Sequence, residues 1–248
     1  MKITHIGGPT TRFTYGGRTF LTDPAFDEPR DYELPGRVMT KLIGPAISVA
    51  ELGPVDVVLL SHDQHKDNLD DAGRALLPSI PTVLSTADAA GRIDGVQGLA
   101  PWETFDLDGI TVTAVPALHG PAGADAVLGV VTGFVLQGTE LPTVYVSGDN
   151  ASVDLVKQIA DRFPRIDVAI LFAGAARTVL LDGANLTLTS AEAVEAAHLL
   201  DPATIIPVHT EGWAHFTEGP DQLAQAFTEA GLADRLQLLT HGVATEVR

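Results

Sequence analysis

Apolar and polar positions alternate along this chain in two successive rhythms. In the first third the apolar residues come in short runs of strand length. Residues 3–6, 12–15 and 18–21 read as strands, and Gly16-Gly17 between the last two marks a hairpin turn. Residues 24–54 contain several prolines and glycines without a sustained period, which predicts a long loop, a feature uncommon unless it is functional. The run 55–60, broken only by Asp56, is apolar, the pattern of a strand buried on both faces, and it ends at Ser61 in a crowd of polar residues. A short helix is expected over 68–77, stopped before Pro78.

Beyond this the pattern predicts a strand at 82–85 and a hairpin of 104–107 with 110–115 turning at Asp108-Gly109. Strands at 129–136 and 143–147 come next. The second half then alternates helix and strand: helix 153–163, strand 168–172, helix 190–200, strand 204–208, helix 221–230 closed by Gly231, and a last strand at 236–240. Thr189 with Glu192 three residues on is a capping-box signature for the helix at 190. No short repeat, low-complexity tract or linker interrupts the sequence, so the expectation is one α/β domain over 1–248, with two mixed sheets and outer helices.

Composition narrows the chemistry. With 15 Lys+Arg against 32 Asp+Glu the formal charge is −17, which argues against nucleic acid and against anionic membranes as partners. A small-molecule substrate is the better expectation, and a homo-oligomer is compatible with the chain. The absence of cysteine removes disulfides, thiolate nucleophiles and Cys-ligated metal sites, leaving His, carboxylate and amide as metal ligands. The most apolar stretch, 126–136, is far shorter than a bilayer span, and the first residues read as a strand rather than a targeting segment, so the expected compartment is the cytoplasm.

Four strand ends concentrate ligand-type residues. The strand at 55–60 runs into Ser61-His62-Asp63-Gln64-His65-Lys66-Asp67-Asn68-Leu69-Asp70; the strand at 110–115 leads to His119, that at 143–147 to Asp149, and that at 204–208 to His209. Open α/β folds place their sites at such ends, and imidazoles and carboxylates delivered by four separate strands are hard to attribute to packing alone.

The order Thr22-Asp23-Pro24, His62 to Asn68, His119, Asp149 and His209 resembles the metallo-β-lactamase superfamily, and within it the ascorbate-phosphate lactonase-like branch of metallo-hydrolases; the opening Ile6-Gly7-Gly8-Pro9 is similar to the start of that branch. The resemblance covers essentially the whole chain. It implies an αββα sandwich, a centre of one or two divalent metal ions (zinc, manganese or iron), and hydrolysis of a small-molecule ester, lactone or phosphoester by a metal-bound hydroxide. It further implies a first metal on His62, His65 and His119 and a second on Asp67, His209 and Asn68, with Asp149 bridging, so that Asp67, Asp149 and His209 carry the catalytic centre.

The chain departs from the family's His-x-His-x-Asp-His pattern, having one extra residue between the first two histidines and Asn68 in place of the last. Two registers are open. Either His62 is the first ligand and the loop absorbs about 3.3–3.6 Å of chain, or Asp63 takes that place. His62 is preferred because it comes directly after the buried strand and a serine. An amide ligand with two carboxylates makes the second site oxygen-rich, favouring manganese, iron or magnesium over zinc. Asn68 is equally suited to cap the helix at 68–77. Asp23 is either an orienter of the ligands or a turn former before Pro24. Asp63, Trp213 and His215 are candidates for the surroundings of the centre or the substrate mouth, with loop packing as the plainer role for Trp213, Phe216 and His215. His5 and His198 read as structural, and His241 as weak. The rival to an enzyme is a metal-poor, non-catalytic small-molecule binding protein on the same fold.

Overall fold

A computed structural model describes residues 1–247. Strands β1 (Lys2–Gly7), β2 (Thr10–Tyr15) and β3 (Arg18–Thr22) form a meander. A separate antiparallel hairpin, β4 (Arg30–Leu34) and β5 (Arg37–Lys41), comes after it. Next are β6 (Val57–Leu59), α1 (Asp71–Leu76), β7 (Thr82–Thr86), α2 (Ala87–Ala90) and β8 (Val96–Leu99). Strands β9 (Thr104–Leu107), β10 (Ile110–Ala117) and β11 (Val131–Gly138) are antiparallel neighbours, with α3 (Asp125–Leu128) before β11. The rest alternates: β12 (Val144–Val146), α4 (Val153–Arg162), β13 (Val168–Phe172), α5 (Ser190–Leu200), β14 (Thr204–Val208), α6 (Pro220–Glu229) and β15 (Thr245–Glu246).

These strands build a seven-stranded sheet, β15-β1-β2-β3-β6-β7-β8, and a six-stranded one, β14-β13-β12-β11-β10-β9. Phe13, Phe20, Leu59 and Leu84 of the first meet Val112, Phe134, Val146 and Ile170 of the second in the central core. Helices α4, α5 and α6 cover the outside of the six-stranded sheet, placing Val156, Ile159, Ala197 and Phe227 against Tyr145 and Leu171. Val58, Leu60 and Val83 on the outer face of the other sheet pack with Leu77 and Ala89, from the α1 and α2 regions. The result is the mixed αββα layering that the resemblance implies. β6, β12, β13 and β14 are buried throughout and each pairs in parallel, which is why their sequences are unbroken apolar runs. The capping box at Thr189 and Glu192 is formed as its sequence predicts.

β8, α2 and α3 were not expected from the sequence, and three expected regions take a different form. Residues 24–54 are not all loop. Arg30–Leu34 and Arg37–Lys41 alternate exposed and buried positions around a turn at Pro35-Gly36, and the hairpin packs Tyr32 and Met39 against Trp213. The helix expected over 68–77 starts at Asp71, because Asp70 rather than Asn68 caps it, its Oδ1 accepting the Gly73 N–H at 2.8 Å. The strand expected at 236–240 makes a single rung, from Gln237 N–H to the Ile205 carbonyl. On that margin of β14 the next donor belongs to Pro207, which has none, so the pairing stops. The last strand lies further on, where Thr245–Glu246 pairs with β1.

Candidate metal centre

The C-terminal ends of four strands converge. β6 continues through Leu60 and Ser61 to His62, β10 leads to His119, β12 to Asp149 and β14 to His209. Two glycines make the convergence possible. Gly148, just before Asp149, has φ +59°, and a Cβ there would lie 2.4 Å from the Thr132 carbonyl oxygen; one on Gly174 would lie 2.2 Å from that of His209. His209 itself sits at φ 57°, a conformation that a non-glycine residue holds only where its surroundings enforce it.

Two groups of donors form around Asp149. His62, His65, His119 and Asp149 make one; Asp67, Asp149 and His209 make the other, with the donor atoms of each group within 4.8 Å of one another. His62 Nε2 lies 2.9 Å from His65 Nδ1, and His119 Nε2 lies 3.2 Å from the same atom. His119 Nε2 is 3.5 Å from Asp149 Oδ2; His209 Nε2 is 3.3 Å from Asp67 Oδ2 and 3.4 Å from Asp149 Oδ1. All of these residues are buried.

The electrostatics describe an uncompensated place for a cation. Burial lowers His62 to about 4, against the pull of Asp149, and drives His65 well below its ordinary value, so both present neutral imidazoles. Burial opposes ionisation of Asp67 and Asp149 too, yet the facing histidines hold both carboxyls below the usual carboxylate range. In return Asp149 and Asp67 overcome the burial of His209 and push it up to about 10. Asp67 Oδ1, Asn68 Oδ1, Asp149 Oδ2 and both ring nitrogens of His209 are buried without a hydrogen-bond partner. Such orphaned atoms are costly unless something binds them. Two nitrogens bound about 2.0–2.1 Å from one ion sit roughly 2.9–3.4 Å apart, so the spacing of His62, His65 and His119 suits a shared divalent ion.

The surrounding residues fix these side chains. Asp23 Oδ1 accepts the Ser61 N–H at 2.7 Å, and Ser61 Oγ is hydrogen-bonded to His62 Nδ1 at 2.9 Å. Asp23 therefore orients the centre through Ser61 rather than by touching an imidazole. Burial, reinforced by the Asp149 charge, raises its own carboxyl well above the ordinary value. His119 Nδ1–H donates to the Leu186 carbonyl at 2.9 Å, which leaves Nε2 as the lone-pair nitrogen facing the centre. Asn68 turns its amide nitrogen toward Asp149 Oδ1, at 3.3 Å, and toward Ser61 Oγ, at 3.5 Å. It neither caps α1 nor points its oxygen at the carboxylate.

His65, Asp67, His119 and His215 line a cavity of about 430 Å³ bounded by the β4–β5 hairpin and the 176–186 segment. His215 Nε2–H donates to Asp67 Oδ2 at 3.0 Å, so this histidine stands at the mouth. Two other candidates lie elsewhere. Asp63 turns away to Arg92, with contacts of 3.0 and 3.2 Å to its Nε, and to Arg74 at 3.6 Å; those cations hold its carboxyl low although burial opposes it. Trp213 packs the loop: it stacks on Tyr32 at 5.7 Å between centroids and bridges Lys41. His5 is buried against Gly8, its Nε2–H reaching that carbonyl at 2.9 Å, as a structural histidine does. Sequence reasoning passed over Ser61 as an orienter and Arg37 and Arg177 as cavity residues. The hairpin turn Pro35-Gly36 was the available signal for Arg37.

Layering of this kind, with donors at the strand ends, is that of the metallo-beta-lactamase fold. The isothiocyanate hydrolase from Delia radicum gut bacteria superimposes with a TM-score of 0.83 at 23% identity, over 99% of each chain. The model of the beta-lactamase superfamily domain matches residues 18–210. A UPF0173 metal-dependent hydrolase of Pelotomaculum thermopropionicum is 31% identical over 208 residues, covering 80% of this chain and 85% of its own. Another, of Natranaerobius thermophilus, is 28% identical over 92% of both chains. The chain belongs to the beta-lactamase superfamily and, within it, to the UPF0173 metal-dependent hydrolases.

Proposed function

We propose that this metal-dependent hydrolase cleaves a small-molecule ester, lactone or phosphoester in the cavity beside a centre of two divalent ions. The observation that carries the reading is the pair of buried donor groups sharing Asp149 and reaching the cavity through His65, His119 and Asp67. His62, His65 and His119 would hold one ion, Asp67 and His209 the other, and Asp149 both. Bound there, such ions polarise the scissile group and acidify water. The imidazole-rich set suits zinc; the second, richer in oxygen, suits manganese or iron. Asn68 steadies Asp149, and His215 keeps a proton at Nε2 against Asp67 while facing the cavity.

Lactone opening is favoured within this range only by the resemblance of the motifs from Thr22-Asp23-Pro24 to His209 to a lactonase-like branch. The test is elemental analysis of protein expressed in metal-supplemented medium, then a panel of esters, lactones, phosphodiesters and, because of the structural neighbour's activity, an isothiocyanate. At least one equivalent of metal is expected, with turnover lost on chelation and restored by readdition. Metal content below about a tenth of an equivalent, the level of adventitious binding, would overturn the reading in favour of a metal-poor binding protein.

A further inference from the structure

Six arginines elsewhere in this acidic chain are paired, while Arg162 lies over the Trp102 ring and Arg12 Nε has no hydrogen-bond partner. Arg18, Arg30, Arg74, Arg92, Arg165 and Arg235 each face a carboxylate. Arg37 and Arg177 have no carboxylate partner among the described residues, and both line the cavity beside the proposed centre. They come from two segments that meet at the cavity, Arg37 from the β4–β5 hairpin and Arg177 from the segment after β13. Each commits a donor to a neutral acceptor: Arg37 Nη1 to Thr178 Oγ1 at 3.1 Å, Arg177 Nε to Asn185 Oδ1 at 2.9 Å. A guanidinium carries five N–H donors, so most of each remains unspent. Asp67, already engaged by His209 and His215, is the one acidic residue in the lining. Val38, Met39, Val179 and Leu186 add apolar surface to the same lining.

A chain of net charge −17 repels anions at long range, so two unpaired guanidinium groups facing one cavity require a local reason. We propose that Arg37 and Arg177 form a subsite for an anionic group, carboxylate or phosphate, on the substrate, remote from the bond that is cleaved and joined to it by an apolar segment. Planar guanidinium forks match both oxyanions. This rests on the hydrolase reading for the position of the scissile bond, but the anion subsite is testable without turnover.

Calorimetric titration of the metal-loaded protein with butyrate, glutarate and 4-phosphonobutyrate tests it. Butyrate offers one carboxylate; the other two add a second anionic end. Glutarate or 4-phosphonobutyrate is expected to bind about ten- to hundredfold more tightly than butyrate, the range supplied by hydrogen bonds to charged groups. The stronger of the two identifies the subsite as one for carboxylate or for phosphate. Arg37→Ala with Arg177→Ala should abolish the increment and leave butyrate binding unchanged, while Arg37→Lys with Arg177→Lys should restore part of it. Equal affinities for all three compounds in the unaltered protein, no binding of any, or an increment that survives the double alanine change would overturn the proposal. Failure of the hydrolase reading registers separately, in the metal analysis. On metal-free protein, where the arginine pair is the remaining anion site, butyrate and glutarate are expected to bind about equally and to lose that binding with the double alanine change.

Discussion

Replacing Asp70 by alanine should be among the most damaging single changes outside the proposed centre. Asp70 is fully buried and its carboxylate is saturated. Oδ1 caps α1 through Gly73 N–H at 2.8 Å; Oδ2 accepts Asp27 N–H at 2.6 Å and Lys41 Nζ at 3.0 Å. Lys41, 4% exposed, has one other acceptor, the Ala25 carbonyl at 3.0 Å, and lies 5.6 Å from the centre of the Trp213 ring. Asp70→Ala removes a helix cap worth about 0.5–2 kcal/mol and strands a buried ammonium, a change that costs about 3–5 kcal/mol. The two losses share one side chain, so the expected total stays near 3–5 kcal/mol, or about 6–20 °C in Tm for a chain of this size. Lys41→Met should cost less, since it leaves Asp70 with two backbone donors. Urea unfolding and thermal melts of the two variants measure both. A loss below about 1 kcal/mol for Asp70→Ala, or a larger loss for Lys41→Met, would refute the argument that the stranded cation dominates.

His62→Ala should lower metal content while Asp63→Ala leaves it unchanged, because Asp63 faces Arg92 and Arg74; elemental analysis showing the reverse would reassign the first ligand. Asn68→Ala should leave the α1 cap intact and loosen Asp149, weakening manganese binding with little change in Tm; a melt shifted as for loss of a cap would contradict the hydrogen bonds seen. The ion on His62 and His65 should be retained well below pH 6.5, whereas His209, pushed up to about 10, exposes the second ion to proton competition at higher pH. Protons compete with metal for His62 only near its lowered value of about 4, and for His65 lower still, so release of the first ion centred near 6.5 in a pH-stepped dialysis would show that burial does not hold these imidazoles neutral.

His62, Asp149 and His209 were legible because each sits just beyond an apolar run too continuous for a half-exposed strand. VVL, VYV and TIIPV announce buried parallel strands, and the polar residues directly after such strands must lie at a sheet end. The choice of His62 over Asp63 was harder. Both are polar residues in one loop, and only the positions of Arg74 and Arg92, brought in from distant elements, take Asp63 out of the centre. The β4–β5 hairpin was hidden for a related reason. Its five-residue strands carry charged residues on the outward face, and their stability comes from Tyr32 and Met39 meeting Trp213 more than 170 residues along the chain. Local pattern reports which side of an element is apolar; it does not report what will cover that side. Lys41 shows the same limit. In sequence it is one more surface cation, and only Asp70 and Trp213 make it a buried one.

Pro207 gives the margin of β14 a protective character. Gln237 takes the single rung beside Ile205, and the chain then departs because the next donor is missing. A second molecule approaching this margin in extended form would meet the same gap, so a ladder started there cannot propagate past one residue. β14 is otherwise the kind of apolar, β-branched segment that recruits other strands when a newly made chain is still open. One imino acid, placed where the strand has no internal need of its N–H, guards the sheet against growing into its neighbours and so favours solubility during folding at no cost to the fold's own hydrogen bonding.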